Sequence, residues 1–215
     1  DRFAWKMDKN ELEIESSPQP KTTYGRASEL ESLKDEDLPG ALYMATHKGQ
    51  DSLRFISEKM NYKLNDNTMN ANKVKFIAVA NARILPDEGK VTIQEKAQVK
   101  PLENAVIFAD SVNKFHRFFN AEVQINGRYD FTGQGDFEYV DKEDQTQIIH
   151  FDQIGIDTAV HTYASGTISR EDSFRLSPDF GYTGDVHIKS KRKLMRYKGG
   201  AKLMYECPRS EERRV

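Results

Sequence analysis

His150 and the acids around it are the side chains of this 215-residue chain whose spacing could support acid/base or metal chemistry. His150 and Asp152 flank Phe151, and side chains at positions i and i+2 lie on the same face of a strand. Such a pair could orient a proton donor or supply two metal ligands. A protein metal site needs further ligands that converge on the same point. We therefore interpret His150 as a polar side chain on the surface of a strand.

A run of acids invites a calcium interpretation and consists of Asp136, Glu138, Asp141, Glu143 and Asp144. It lacks the Asp-x-Asp-x-Asn-Gly spacing and the closing Glu of the helix–loop–helix calcium site. We therefore predict that residues 141–144 form a solvated turn. Paired carboxylates of a glycosidase stand roughly 5–9 Å apart. The sequence does not define that separation, so a hydrolase on a β-helix stays an alternative.

The sequence contains none of the common loops for nucleophiles or phosphates. There is no Gly-x-Ser-x-Gly elbow, no Walker loop and no dinucleotide-binding fingerprint. The one cysteine, Cys207, excludes an internal disulfide and any cysteine-based zinc site. We predict that the chain is not an enzyme and holds no cofactor.

The charge of the chain is distributed unevenly. The net charge is −2, but residues 186–215 contain ten Lys or Arg and three Glu. Lys189, Lys191, Arg192 and Lys193 form a cluster that we place in a turn. Such a cluster could contact an anionic lipid, an acidic glycan or an acidic partner protein. Because the overall charge is slightly negative, we do not predict nucleic-acid binding.

The N-terminal segment predicts a hairpin, a loop and one short helix. Apolar side chains alternate at Phe3, Trp5 and Met7 and resume at Leu12 and Ile14 after a polar turn. Prolines mark residues 16–26 as a loop. Ser28 and Glu31 fit a capping box, which predicts a short helix near residues 28–37 that ends at Pro39–Gly40.

Alternating strands follow from Leu42 onward, so the fold class is all-β. The clearest segments are residues 52–56, 60–64, 73–79, 90–93 and 121–125. Asn126–Gly127 between two such segments predicts a β-hairpin.

Two weak repeats accompany the strands. An Asn-Ala step precedes apolar residues at Asn70, Asn81, Asn104 and Asn120. An aromatic residue, a glycine and an alternating segment recur at 163–168, 182–188 and 197–203. Short units that cannot bury their apolar face alone stack on one another. We therefore expect stacked short strands in a β-solenoid or open β-roll, with hairpins in places; the alternative is a β-sandwich.

The chain divides into three predicted parts. Residues 1–45 hold the hairpin, loop and helix, residues 46–206 form a β-repeat domain, and residues 207–215 form a polar tail. The longest uncharged run near an apolar peak, residues 76–82, is far shorter than the roughly 20 residues of a spanning helix. Because the chain begins with Asp1 and ends in a polar segment, we expect a fragment of a longer protein.

Several of these segments resemble the repeats of large β-rich cell-envelope proteins of the Bacteroidota, whose function is not established. The resemblance covers residues 50–205 and is carried by 53–56, 60–62, 70–74, 79–93, 133–140 and 174–184. A looser similarity, limited to the spacing of the short strands, exists to the OstA-like β-roll of lipopolysaccharide transport, in which short strands form a groove for acyl chains.

The resemblance implies an extended scaffold in the cell envelope, either periplasmic or associated with the outer membrane. We expect a non-catalytic structural or interaction module. Its partners would be other envelope proteins or adjacent repeats of the same protein, with an anionic lipid or glycan as a further candidate. A lipid- or glycan-binding β-groove is the alternative function. The similarity to the OstA-like roll carries no residue-level motif, so no site is transferred.

Overall fold

The computed structural model describes residues 2–16 and 40–204. These residues form β-strands joined by turns, with three single-turn 3-10 segments at Lys48–Gln50, Asp87–Gly89 and Glu95–Ala97. The strands are β1 (Arg2–Lys6), β2 (Glu11–Glu15), β3 (Ala41–Met44), β4 (Arg54–Ser57), β5 (Lys59–Lys63), β6 (Thr68–Asn72), β7 (Ile77–Val79), β8 (Ala82–Leu85), β9 (Val91–Ile93), β10 (Leu102–Phe108), β11 (Arg117–Gly127), β12 (Asp130–Val140), β13 (Thr146–Ile156), β14 (Thr162–Ile168), β15 (Arg175–Ser177), β16 (Phe180–Lys189) and β17 (Arg196–Leu203).

The strands form two antiparallel sheets. The smaller has the order β1-β2-β5-β6-β9. The larger has the order β15-β16-β14-β13-β12-β11-β10-β8-β7-β4-β3, with β17 on the other edge of β16. Hairpins β3–β4 and β7–β8 belong to the large sheet and hairpin β5–β6 to the small one, so the chain crosses between the sheets repeatedly. The all-β prediction is confirmed, and the arrangement is sandwich-like; the described residues show no solenoid.

The N-terminal hairpin belongs to the smaller sheet. β1 and β2 pair from Arg2–Glu15 to Lys6–Glu11, which confirms the hairpin predicted for residues 1–15. β2 also pairs along its whole length with β5, so the predicted segments 1–45 and 46–206 share one sheet. The helix predicted near residues 28–37, as well as Cys207 and the tail 207–215, lies outside the described residues.

The main apolar core contains side chains of both sheets. The small sheet contributes Met60, Ala71 and Val91, and the large sheet contributes a ring cluster around Phe118 and Phe151, whose centroids are 5.4 Å apart. Side chains alternate along each strand, because successive residues of a strand point to opposite faces.

The Asn-Ala steps mark places of close packing. The four alanines that follow the asparagines are all buried; they are Ala71, Ala82, Ala105 and Ala121. Asn104 and Asn120 have φ values of +51° and +48° and coincide with irregular register between β10, β11 and β12. Asparagine tolerates this left-handed conformation better than most residues. Each of these two steps is thus a β-bulge followed by a small core residue.

The glycines of the second repeat lie within strands, so the prediction that each glycine precedes a strand was wrong. Gly166 lies inside β14, Gly184 inside β16, and Gly199 inside β17. Gly184 has φ +137° and pairs with Gly199, and a Cβ on Gly184 would lie 2.6 Å from the Cα of Gly199. The strands approach too closely for a side chain at this position.

Candidate interaction surfaces

The apolar face of the small sheet extends beyond the part that the large sheet covers. In the register of the sheet, Phe3 lies beside Ile14 and then Met60, while Trp5 lies beside Leu12. Phe3 and Trp5 are 67% and 65% exposed, Ile14 and Leu12 are half-buried, and Met60 is buried. Exposure therefore increases steadily towards β1.

β1 is an edge strand of the small sheet, and β3 is an edge strand of the large one. The chain passes from the large sheet into the small one between β4 and β5 and returns between β6 and β7. We call the exposed surface of Phe3, Trp5 and Met7 the open edge; Met7 is 76% exposed.

The opposite face of the small sheet is polar and carries a group of ion pairs. The Glu13 carboxylate binds the ammonium groups of Lys59 and Lys6, the latter at 2.8 Å. Hydrogen bonds from Lys59 and then Lys6 lower the pKa of Glu13 to about 2. Glu15 adds a second contact to Lys59 at 3.1 Å. These ionic contacts cross β1, β2 and β5, so they hold the polar side chains on one face and leave the other apolar.

A cleft opens between the sheets on the same side as β3. It has a volume of about 430 Å³, and its apolar wall includes Tyr43, Tyr62, Met69 and Ile93. Tyr43 stacks on Phe55 with 4.8 Å between ring centroids, and burial raises the pKa of the Tyr43 hydroxyl. The rim is polar and includes Gln94, Glu95 and Lys96. The cleft is therefore suited to an apolar group with a polar end.

The basic cluster lies at the turn between β16 and β17. Lys189 is the last residue of β16, and Lys191, Arg192 and Lys193 follow in the turn with their side chains exposed. Among the residues that the structure describes, none of the four forms an ion pair within 4 Å. Contact with an anionic partner at this cluster stays a prediction.

Asn81 anchors this turn, and sequence reasoning did not identify that role. Its Oδ1 accepts hydrogen bonds from the Thr162 backbone N–H at 2.9 Å and the Thr162 hydroxyl at 2.8 Å. Its Nδ2 donates to Ser190 Oγ at 2.9 Å. His116 Nε2 donates to the Arg192 carbonyl at 2.6 Å. The cations are therefore displayed from a backbone that distant strands hold in place.

The anchored turn borders a further depression. Asn81, Val112, Tyr129, Val160 and Lys191 are among the residues that line a cavity of about 470 Å³ at this end of the sandwich. Val160 has φ +60°, which is an unfavourable conformation for a β-branched residue. Backbone N–H groups of Ala159 and His161 donate to Asp157 Oδ1 and maintain this turn.

His150 lies in a row of polar side chains on the outer face of the large sheet. Its Nδ1 is 2.8 Å from Asp136 Oδ1 and its Nε2 is 3.9 Å from Asp152 Oδ1. Asn120 Nδ2 donates to the other Asp136 oxygen at 3.1 Å. His150 is exposed. Within residues 2–16 and 40–204, no group of three or more His, Cys, Asp or Glu side chains could hold a metal ion.

Glu138 lies within β12, and the acids at 141, 143 and 144 form the predicted turn. Asp141 Oδ1 accepts hydrogen bonds from the backbone N–H groups of Glu143 and Gln145 at 2.8 and 2.9 Å. This side chain therefore closes its own turn between β12 and β13, which confirms the interpretation of residues 141–144 as a turn.

Comparison of the chain with protein-family models, curated proteins and solved structures finds no match. In the described parts of the chain there is no helix with the length and hydropathy needed to cross a membrane.

Proposed function

We propose that this chain is a non-catalytic interaction module of a bacterial cell-envelope protein. In this proposal the small sheet docks a second β-rich unit on the open edge. The partner is an adjacent repeat of the same protein or another envelope protein. The observation that carries the proposal is the apolar face that continues past the large sheet to Phe3, Trp5 and Met7. The resemblance to Bacteroidota envelope repeats supports the location.

The apolar area of the open edge is a substantial part of the area that a stable protein interface buries. An aromatic side chain buries roughly 150–250 Å², so three large side chains that are about two-thirds exposed present roughly 400 Å². A stable interface buries about 800 Å² per partner. The open edge would supply about half of that area, and the half-buried Leu12 and Ile14 beside it would extend the contact.

The partner should contain an exposed strand. β1 pairs with β2 on one side, and no described strand pairs with its other side. An unpaired strand edge offers a row of N–H and C=O groups that another strand can satisfy. A β-rich partner can therefore complete the backbone hydrogen bonds and cover the apolar side chains in one contact, which an acyl chain cannot do.

The test uses Trp5, the only tryptophan of the chain. A photo-crosslinking amino acid in place of Trp5 is introduced into the protein in cells that naturally produce it, and the adducts are identified by mass spectrometry. We expect adducts within β-strands of the same protein or of an envelope protein. The same substitution at Leu194, which is 79% exposed and lies in the turn between β16 and β17 of the large sheet, is the control. Adducts to lipid alone, or no adduct, would refute the proposal.

A lipid- or glycan-binding groove is a second candidate, favoured by the cleft of Tyr43, Tyr62, Met69 and Ile93. Because its wall is apolar and its rim is polar, an acyl chain or the face of a sugar ring could enter it. Replacing Met69 with Trp would fill the cleft. Under this second function the variant should lose binding of the lipid or glycan while the crosslinks from position 5 remain.

A further inference from the structure

A separate cavity lies at the opposite end of the large sheet, among β15, β16 and β17. Its volume is about 530 Å³. It is lined by Arg170, Phe174, Arg175, Tyr182, Lys202 and Met204, together with small residues of β16 and β17. The described lining contains three cations and no carboxylate. This size falls within the range of small-molecule sites, about 300–1,000 Å³.

We propose that this cavity binds a small organic anion with an apolar body, such as a medium-chain carboxylate. The inference goes beyond the proposed function, because it concerns the other end of the molecule. It rests on the charge of the rim, the apolar floor and the open space at Gly200.

The floor of the cavity is apolar and fixed. Phe174 and Tyr182 are only 4% and 5% exposed. Phe174 packs on Tyr139 at 5.1 Å between centroids, and Tyr182 packs on Tyr197 at the same distance. The Tyr182 hydroxyl donates to the Asp185 carbonyl at 2.8 Å, so the polar end of this side chain is already satisfied.

The rim of the cavity carries three cationic side chains. In the described part of the chain, Arg170, Arg175 and Lys202 form no ion pair within 4 Å. The backbone of Arg175 is held at both its N–H and its carbonyl by the Gln147 side chain, at 2.8 and 2.7 Å. Asp172, an acid close by in sequence, accepts a hydrogen bond from the Ser169 backbone. A guanidinium matches a carboxylate with two parallel hydrogen bonds.

Gly200 keeps the cavity open. A Cβ placed on Gly200 would meet no atom within 4 Å, whereas one on its neighbour Gly199 would lie 2.2 Å from the Thr183 carbonyl oxygen. A side chain at position 200 would therefore enter open space beside the cavity without disturbing the strands. This difference provides a variant that fills the site and preserves the fold.

The test measures binding to the full chain by isothermal titration calorimetry. Decanoate supplies both charge and apolar body, acetate supplies only the charge, and the neutral decyl glucoside supplies only the chain. We expect one saturable site for decanoate and none for the other two. Arg175→Gln and Lys202→Gln should each weaken binding by roughly tenfold, which corresponds to one charge-assisted hydrogen bond.

Two further variants separate this cavity from any other. Gly200→Leu should abolish decanoate binding while the midpoint of thermal unfolding does not fall. Lys198→Gln removes one charge from the same strand but does not line the cavity, so it should leave the affinity unchanged. Three results would each overturn the inference: no binding of decanoate, unchanged binding by Gly200→Leu, or an equal loss in Lys198→Gln. None of these results bears on the crosslinks expected from position 5.

Discussion

Asn81→Ala should strongly lower the free energy of unfolding, because the Asn81 side chain makes three hydrogen bonds to distant parts of the chain. The Asn81 side chain joins β14 and the β16–β17 turn, and its two partners lie 81 and 109 residues away in the chain. Truncation removes three hydrogen bonds. It leaves the Thr162 backbone N–H, the Thr162 hydroxyl and Ser190 Oγ without this partner, and both residues are at most 1% exposed.

The magnitude follows from the cost of an unsatisfied buried group, about 1–3 kcal/mol each. Three such groups set a range of about 3–9 kcal/mol. Asn81 lines the 470 Å³ cavity at this end of the sandwich, so water can reach the vacated position and replace part of the loss. Both hydroxyls can also rotate towards new partners. We therefore expect a loss near the lower limit, about 3 kcal/mol.

Urea denaturation followed by circular dichroism measures the effect. Asn126→Ala is the matched control, because Asn126 is exposed and makes one side-chain hydrogen bond, to Asp130 at 3.0 Å. The control should change the free energy of unfolding by no more than about 0.5 kcal/mol. A double-mutant cycle with Ser190→Ala should show a coupling energy above about 0.5 kcal/mol. A loss below about 1 kcal/mol for Asn81→Ala would show that this network does not hold the turn.

Three other predictions concern pH and backbone geometry. Because the folded pKa of Glu13 is about 2, its stabilising contribution is complete above pH 4.5 and is lost as the pH falls towards 2; Glu13→Gln should flatten the acid-unfolding curve in that window. Burial lowers the pKa of His116, and the hydrogen bond to the Arg192 carbonyl opposes this shift. Because the unfolded state then binds the proton more readily, the free energy of unfolding should decrease below pH 6.5 by at most about 1.4 kcal/mol per pH unit. His116→Phe should remove this slope in urea titrations. Gly184→Ala should cost at least about 2 kcal/mol in the same assay, because its Cβ would collide with Gly199 at a φ of +137°, and a smaller loss would contradict the close approach of the two strands.

Local patterns predicted the strands because each depends on neighbours in the sequence. The N-terminal hairpin and the turn at residues 141–144 follow from alternation and turn chemistry, and the structure contains both. The hairpin predicted from Asn126–Gly127 is also present, but its turn is formed by Arg128 and Tyr129, while Asn126 and Gly127 belong to β11. The alanines of the Asn-Ala steps are buried as a close-packing role requires. These features would be the same in many β folds, which is why they do not determine the architecture.

The arrangement of the sheets depends on pairings that local patterns do not contain. Trp5 and Met60 occupy equivalent positions in alternating segments, yet Trp5 is 65% exposed and Met60 is 4% exposed. Alternation defines which side chains share a face, but the extent of the opposite sheet decides whether that face is covered. The role of Asn81 was missed for the same reason, since its partners are more than 80 residues away. The prediction that each repeat glycine precedes a strand was wrong because a close approach of two strands leaves no local signal in the sequence.

The edge strands β1 and β17 differ in a way that supports the proposal that β1 is the docking edge. β17 carries Arg196, Lys198 and Lys202 along an exposed edge, and charged side chains on an edge strand discourage pairing with another strand. On β1 the ammonium group of Lys6 is bound to Glu13, while Phe3 and Trp5 project from the other face. A soluble β protein that left such an edge uncovered would tend to aggregate. The charged edge of β17 and the apolar face of β1 therefore support the proposal that a β-rich partner docks on β1 and not on β17.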